Sequence, residues 1–172
     1  AEASIDDGTY PEHIDVESFV NWLMAHDLLG TWDSGGSNLY ITKRDSTRQT
    51  LLEMGCLWDF DSNRGMGLEK WSRYHISDDF YYLKLFNSAN RTFAHAYTVR
   101  WNEILPTLQQ QLNDNLDSLA SSPTAAAIDR SREYHCKLYN QYPRKVSLGV
   151  QKFKEWFESR IPWLNEHIGH IK

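Results

Sequence analysis

The residues of this 172-residue chain with the clearest chemical potential lie in two short acidic segments. In the first, Thr31-Trp32-Asp33-Ser34-Gly35-Gly36-Ser37-Asn38, an aspartate and an asparagine stand five positions apart in a glycine-rich stretch. In the second, Leu57-Trp58-Asp59-Phe60-Asp61, two carboxylates close an apolar run. Phosphoryl transfer requires this set of groups: one carboxylate to orient a hydroxyl, and an amide and a second carboxylate to hold Mg²⁺.

Each of these residues has a defined role in that hypothesis. Asp33 would accept a hydrogen bond from the attacking hydroxyl, while Asn38 and Asp59 would bind Mg²⁺ through hard oxygen ligands. Asp61 is a further candidate metal ligand. The glycines between Asp33 and Asn38 would let the backbone approach a bound group closely.

Both segments also fit simpler interpretations. An aspartate and an asparagine five positions apart are typical of a turn that local side-chain hydrogen bonds stabilise. The second segment nearly fits a calcium-binding loop, but its glycine, Gly65, falls one position late and Lys70 replaces the acid at position twelve.

The predicted elements place these segments at the ends of rigid structure. Asp15 is a typical N-cap, and the apolar spacing after it predicts a helix that runs to Leu29 and ends at Gly30. Residues 39–42 and 50–58 are predicted to form two short strands that pair as a hairpin. Such a hairpin would carry Asp59 at its exit and bring it beside the first segment.

The remainder of the chain is predicted to be helical. Helices are expected over 77–86, 90–105 and 108–119, from Pro123, and from Pro143 at the first helical position. Pro106 is expected to end one helix, and Pro162 to break or kink the last. Residues 1–14 are polar and are predicted to form an extended leading segment.

Composition narrows the classes of function. A net charge of −5 without a basic block predicts no nucleic-acid partner, and the lack of an apolar run of membrane-spanning length predicts no membrane span. The 23 aromatic residues, which include seven Trp, are expected mostly in the core. Cys56 is predicted to be a small buried side chain, because it lies in an apolar run.

Two stretches together resemble the CotH family, spore-coat and cell-surface proteins with an atypical protein-kinase-like fold. The stretches are His26-Asp27-Leu28-Leu29-Gly30-Thr31-Trp32-Asp33-Ser34-Gly35-Gly36-Ser37-Asn38-Leu39-Tyr40 and Gly55-Cys56-Leu57-Trp58-Asp59-Phe60-Asp61. They are similar to the family pattern N-x-x-D-S-x-x-x-N-x-Y, a hairpin, then P-x-W-D-F-D, with Cys56 where proline is usual. Arg100-Trp101 and the closing Arg160 to Leu164 also fit, so the similarity covers roughly residues 12–165.

The resemblance implies a mainly α fold of the protein-kinase C-lobe type, with one small β-hairpin. It gives Asp33 the role of the catalytic-loop aspartate, Asn38 that of its companion, Asp59 that of the metal-binding aspartate, and Asp61 that of a second ligand. It further implies Mg²⁺ and ATP as cofactors, a Ser or Thr of a coat or surface protein as substrate, and an exported, cell-surface or spore-coat location.

Nothing in the chain resembles an N-terminal kinase lobe, in which a strand lysine pairs with a helix glutamate. We therefore expect residues 15–172 to form one C-lobe domain of a longer protein, with its N-terminal lobe as a partner, and to be inactive alone. Two other functions are open. One is a non-catalytic module that binds coat or surface proteins; the other is a glycoside hydrolase with Asp33 and Asp59 as its carboxylate pair, and Trp32, Trp58 and Trp71 stacked on sugars.

Overall fold

The structure, a computed structural model, describes residues 2–31, 34, 38–47, 49–60, 72, 80–141 and 144–168. The described elements are, in chain order, α1 (Glu2–Asp7), a 3-10 turn (Tyr10–Glu12), α2 (Val16–Leu29), β1 (Ile41–Thr42), β2 (Glu53–Met54), α3 (Phe80–Asn87), α4 (Thr92–Ala120), α5 (Pro123–Leu138) and α6 (Val146–His167). The predicted mainly helical fold with one two-stranded antiparallel sheet is confirmed. No helix within these residues has the length and apolar content to cross a bilayer.

Helix α2 leads into the first acidic segment, and its ends form as predicted. The Asp15 carboxylate accepts a hydrogen bond of 2.9 Å from the Ser18 backbone N–H, which satisfies a donor that the helix leaves free. At the other end Gly30 adopts a left-handed conformation with φ of 65°, and its N–H donates to the His26 carbonyl. The direction in which the chain leaves α2 is therefore fixed by a glycine.

The core lies where α2, α4 and α6 meet, and it is rich in aromatic side chains. Leu23 of α2, Tyr97 and Trp101 of α4, and Leu164 of α6 are all essentially inaccessible to solvent. The Trp101 indole N–H donates to Asn165 Oδ1 at 3.1 Å, so this large ring is buried without leaving its polar atom unpaired. The expectation that the aromatic residues serve mainly the core is met by this cluster.

The prediction that residues 1–14 are extended was wrong, because the segment contains α1 and the 3-10 turn. Three buried apolar side chains in this polar stretch, Ile5, Tyr10 and Ile14, anchor it to the core. The Tyr10 hydroxyl donates to the Asn90 carbonyl at 2.9 Å and accepts from the Phe93 N–H at 2.8 Å. The leading segment thus packs against the start of α4, a long-range contact that polar composition does not reveal.

Two prolines lie inside helices that the sequence predicted to end or break there. Helix α4 continues through Pro106, and α6 is not broken at Pro162. A proline in a helix leaves the carbonyl four residues earlier without its usual partner. Those residues, Asn102 and Glu158, are both exposed, as are the two prolines, so water can solvate the freed carbonyls.

Helix α6 begins at Val146 rather than at Pro143, which lies outside the described residues. The Val146 N–H donates to the Asp129 carboxylate of α5 at 2.8 Å, so a neighbouring helix supplies the cap. Cys56 was also wrongly predicted to be buried; it is exposed, because β2 ends at Met54 and residues 56–59 beyond it face solvent.

Candidate functional site

The segment that contains β2 begins against the start of α2. The Leu52 N–H donates to the His13 carbonyl at 2.9 Å, and the Asp15 N–H donates to the Leu52 carbonyl at 2.8 Å. Two residues later, the Met54 N–H donates to Ser18 Oγ at 3.1 Å. Since Ser18 lies one turn further along α2 than Asp15, the segment travels in the same direction as the helix.

The same segment reaches the C-terminal end of α2. The Phe60 ring stacks on the His26 ring with centroids 4.7 Å apart and planes 12° apart. Because His26 lies in the last turn of α2, the end of the hairpin is held beside the point where the first acidic segment begins. The helix thus brings the two segments together, as the sequence predicted.

The pairing of the two strands independently places the segments at one end of the hairpin. Ile41 pairs with Met54 in an antiparallel register, and the Gly55 N–H donates to the Tyr40 carbonyl at 2.6 Å. A Cβ at Gly55 would lie 2.8 Å from Tyr40 Cβ, so only glycine allows this approach. The residues that precede Tyr40 therefore lie on the same side as those that follow Gly55.

Asn38 and Asp59 belong to those two flanking stretches. Asn38 is half-buried and Asp59 is exposed. Asp59 has a φ of 57°, a left-handed conformation that is uncommon for a residue with a side chain, although aspartate tolerates it better than most. Backbone strain of this kind concentrates at functional sites, where it re-aims a side chain. Asp59 is in this respect the most unusual residue of the hairpin exit.

His26 holds the start of the first acidic segment through a buried chain of hydrogen bonds. Its Nδ1 lies 2.6 Å from Thr31 Oγ1, which lies 3.2 Å from Ser34 Oγ. Ser34 Oγ in turn donates to the Thr31 carbonyl at 3.1 Å. Each hydroxyl has one proton, so all three contacts form together when His26 Nδ1 donates to Thr31 and Thr31 donates to Ser34.

His26 thus contacts both acidic segments, through Thr31 of the first and Phe60 of the second. Sequence reasoning missed Thr31, Ser34 and Phe60 as residues that hold the two segments in place. A threonine that follows a helix-ending glycine, with a serine three positions later, is the local signal that could have found the first two.

The other predicted residues lie outside the described part of the chain. This holds for Asp33 and Asp61, and for Trp32 and Trp71. Within the described residues there is no group of three or more His, Cys, Asp or Glu side chains that could hold a metal ion. Asn38 and Asp59 contribute one amide and one carboxylate at one end of the hairpin. This donor set fits Mg²⁺, which typically uses few protein oxygens and retains several waters.

A second layer of contacts fixes the end of α2 from the opposite side. Arg160 of α6 is fully buried, and its Nε and Nη2 donate to the Asp27 carbonyl at 2.9 and 2.5 Å. The Trp156 indole N–H donates to the Leu28 carbonyl at 3.0 Å. These bonds satisfy carbonyls in the last turn of α2, which would otherwise be unpaired in a dry interior.

Four large apolar side chains of the hairpin are exposed around this end of the fold. They are Tyr40 and Ile41, and Leu57 and Trp58, each with about half of its surface accessible: 47, 45, 51 and 54%. We call them the hairpin patch. Single exposed apolar residues are ordinary, but four in one short hairpin with two site candidates are typical of a region that contacts a partner.

Comparison with known proteins gives one finding. A family model described as CotH kinase protein matches residues 6–164, which is most of the chain. A search of curated proteins and a search of solved structures gave no significant match.

Proposed function

The chain belongs to the CotH kinase family, and on that premise we propose that it provides the metal-binding and hydroxyl-orienting part of a protein kinase site. The observation that supports this most is the position of the two acidic segments, which meet at the end of α2 through His26 and through the hairpin register. We extend the proposal to the fold, and interpret α2, the hairpin and the helices after it as a kinase-type C-lobe.

Each candidate residue has one task in this proposal. Asp33 accepts a hydrogen bond from the hydroxyl of a substrate Ser or Thr and so points its lone pair towards the phosphorus. Asn38 and Asp59 hold Mg²⁺ through their side-chain oxygens, with Asp61 as an additional ligand. ATP with bound Mg²⁺ supplies the transferable phosphoryl group and a metal that neutralises the charge on it.

The packing around the site supports these tasks because it fixes the backbone that carries them. A catalytic group must be held within a fraction of an ångström, and side chains on loops achieve this only when rigid elements support the loop. His26, Thr31 and Ser34 are all fully buried, so the start of the Asp33 segment is anchored in the interior. The stack of Phe60 on His26 anchors the second segment in the same way, directly after Asp59.

The substrate in this proposal is a protein of coat or surface type, at an exported, cell-surface or spore-coat location. The hairpin patch supports a protein substrate, because it presents apolar surface next to the proposed reacting groups. A non-catalytic module that binds the same class of protein would use the same patch without ATP.

Metal binding distinguishes the protein kinase from the non-catalytic module. It can be measured without catalytic turnover, and we expect the chain alone to be inactive. We expect Mn²⁺ with ATP, added to the 172-residue chain, to broaden the NMR amide signals of Asn38 and of residues 55–60. The control is Asp114, an exposed carboxylate of α4. Asp59→Asn should weaken the broadening by at least about 10-fold, and Asp114→Asn should leave it unchanged.

Equal loss in both variants would mean that the metal associates with the acidic surface in general. Signals near Asn38 and Asp59 that do not respond to Mn²⁺ with ATP would overturn the proposed site and favour the interaction module.

A further inference from the structure

A cavity of about 790 Å³ lies between the end of α4, α5 and the first half of α6, and none of the proposed site residues lines it. Its floor is apolar: Cys136 and Val150 are buried, and Leu116 and Phe153 are half-buried. A volume of this size is within the range of pockets that hold small organic molecules. The packing of these three helices therefore leaves room for a ligand.

The rim of this cavity is positively charged. Arg132 and His135 of α5, Arg144 and Lys145 before α6, and Lys152 of α6 all line it, and none of the described residues that line it is acidic. The Arg132 guanidinium donates to the Arg144 backbone carbonyl, which holds the Arg132 cation beside the segment that precedes α6. The net charge of the chain is −5, yet four Lys and Arg side chains and one histidine surround this single apolar recess.

Three acidic residues lie close to the lining of the cavity. Asp129 and Glu133 share a second recess with Arg132, Arg144 and Lys145. The Asp129 carboxylate accepts from the Val146 N–H at 2.8 Å, where it caps α6, and Asp117, next to the lining residue Leu116, pairs with Lys154 at 2.7 Å. Two of the three carboxylates are thus engaged elsewhere, and the four Lys and Arg side chains of the rim outnumber them, so the rim can attract an anion.

Gly149 is the most informative residue of the lining. It lies inside α6, where glycine costs about 1 kcal/mol relative to alanine. Helix glycines usually serve a positive φ or a close contact, but Gly149 is not among the described glycines with positive φ. A Cβ placed on it would meet nothing within 4 Å. The packing of the protein itself therefore does not require glycine at this position, and the wall of the cavity is open there.

We propose that this cavity binds a single molecule of an amphipathic anion, with an apolar chain on the floor and a carboxylate or phosphate at the basic rim. The apolar floor matches the chain, and the cations of the rim match the head group. The open surface at Gly149 gives the chain a place to lie against the α6 backbone. This inference does not depend on the proposed kinase function, because it involves none of the same residues.

The probe is monomeric laurate at pH 7.5, kept below the concentration at which it forms micelles, with binding measured by calorimetry on the 172-residue chain. We expect one molecule to bind, and dodecyltrimethylammonium, which has the same chain with a positive head, to bind at least about 10-fold more weakly.

Two pairs of variants locate the binding. Gly149→Trp should place a large ring inside the cavity and weaken binding strongly, while Gly149→Ala should retain it. Lys152→Ala should weaken laurate binding several-fold, while Lys137→Ala, an exposed lysine of α5 that does not line the cavity, should have no effect. Laurate should change the chemical shifts of Val146 and Val150 in the unmodified chain but not in Gly149→Trp. The circular dichroism spectrum of Gly149→Trp should match that of the unmodified chain, which shows that the variant is folded.

Three results would overturn the proposal: equal affinity for the anionic and cationic probes, unchanged laurate binding in Gly149→Trp, or binding to anionic vesicles with none to monomeric laurate.

Discussion

At the scale of single residues, the loop between β1 and β2 is held by one carboxylate. Asp45 accepts hydrogen bonds from the Thr47 hydroxyl and N–H at 2.6 and 2.8 Å and from the Thr50 hydroxyl at 2.6 Å. These bonds, those of Thr47 first, lower the pKa of Asp45 from 3.8 to about 2, because they favour the ionised form. Asp45 thus organises the hairpin at the end remote from the candidate site.

The first prediction at this scale concerns pH. Since the folded pKa of Asp45 lies below its unfolded value, its contribution to hairpin stability is present above pH 3.8 and is lost as the pH falls towards about 2. An NMR titration of the Asp45 carboxyl should give a midpoint of about 2. Thr47→Val should move that midpoint upwards, whereas Thr107→Val, on the exposed side of α4, should not. A midpoint near 3.8 in the unmodified chain would contradict the observed hydrogen bonds.

At the scale of elements, two glycines of long helices have opposite roles. Gly30 ends α2 with a φ of 65°, where a side chain is strained, while Gly149 lies in regular α6 with open space around it. The same substitution should therefore change stability in opposite directions at the two positions.

Alanine tests this contrast. Gly30→Ala should lower the free energy of unfolding by about 1 kcal/mol, because it puts a Cβ in the left-handed region. Gly149→Ala should raise it by about 0.5–1 kcal/mol, because it reduces the freedom of the unfolded chain and clashes with nothing. Urea unfolding with equal m-values would measure both. A shift of the same sign in the two variants would show that one of the two backbone conformations is different in solution.

At the scale of the whole molecule, Arg160 and Asp27 together join α6, α2 and α4. Its guanidinium donates to the Asp27 carbonyl, lies 3.9 Å from the Asp27 carboxylate, and sits over the Trp156 and Trp163 rings at 5.7 and 5.1 Å. The Asp27 carboxylate also accepts from the Tyr97 hydroxyl of α4 at 3.3 Å. All of this lies directly behind His26 and the candidate site.

Removal of the Arg160 cation should destabilise the packing of these helices. Arg160→Met should lower the free energy of unfolding by about 3–5 kcal/mol, because it leaves the Asp27 carboxylate buried with less compensation. The double variant Arg160→Met, Asp27→Asn should recover part of that loss. Arg100→Met, which breaks an exposed pair with Glu103, should cost less than about 1 kcal/mol. Similar effects of Arg160→Met and Arg100→Met in urea unfolding would show that the buried pair contributes little.

The sequence by itself determined the parts whose causes are local. Asp15, Gly30 and the helix between them were predictable because caps and apolar spacing act within a few residues of one another. The hairpin was predictable for the same reason, although its strands are shorter than expected. The two acidic segments and the family resemblance came from residue types and their order, which folding does not change.

Only the tertiary structure decided the features that depend on distant partners. The leading segment folds because Tyr10 reaches Asn90 and Phe93, and α6 starts at Val146 because Asp129 caps it. The Phe60 stack on His26, and the cavity beside Gly149, exist only once separate elements are packed together. In each case the free energy comes from contacts between residues far apart in the chain, and a local pattern contains no record of them.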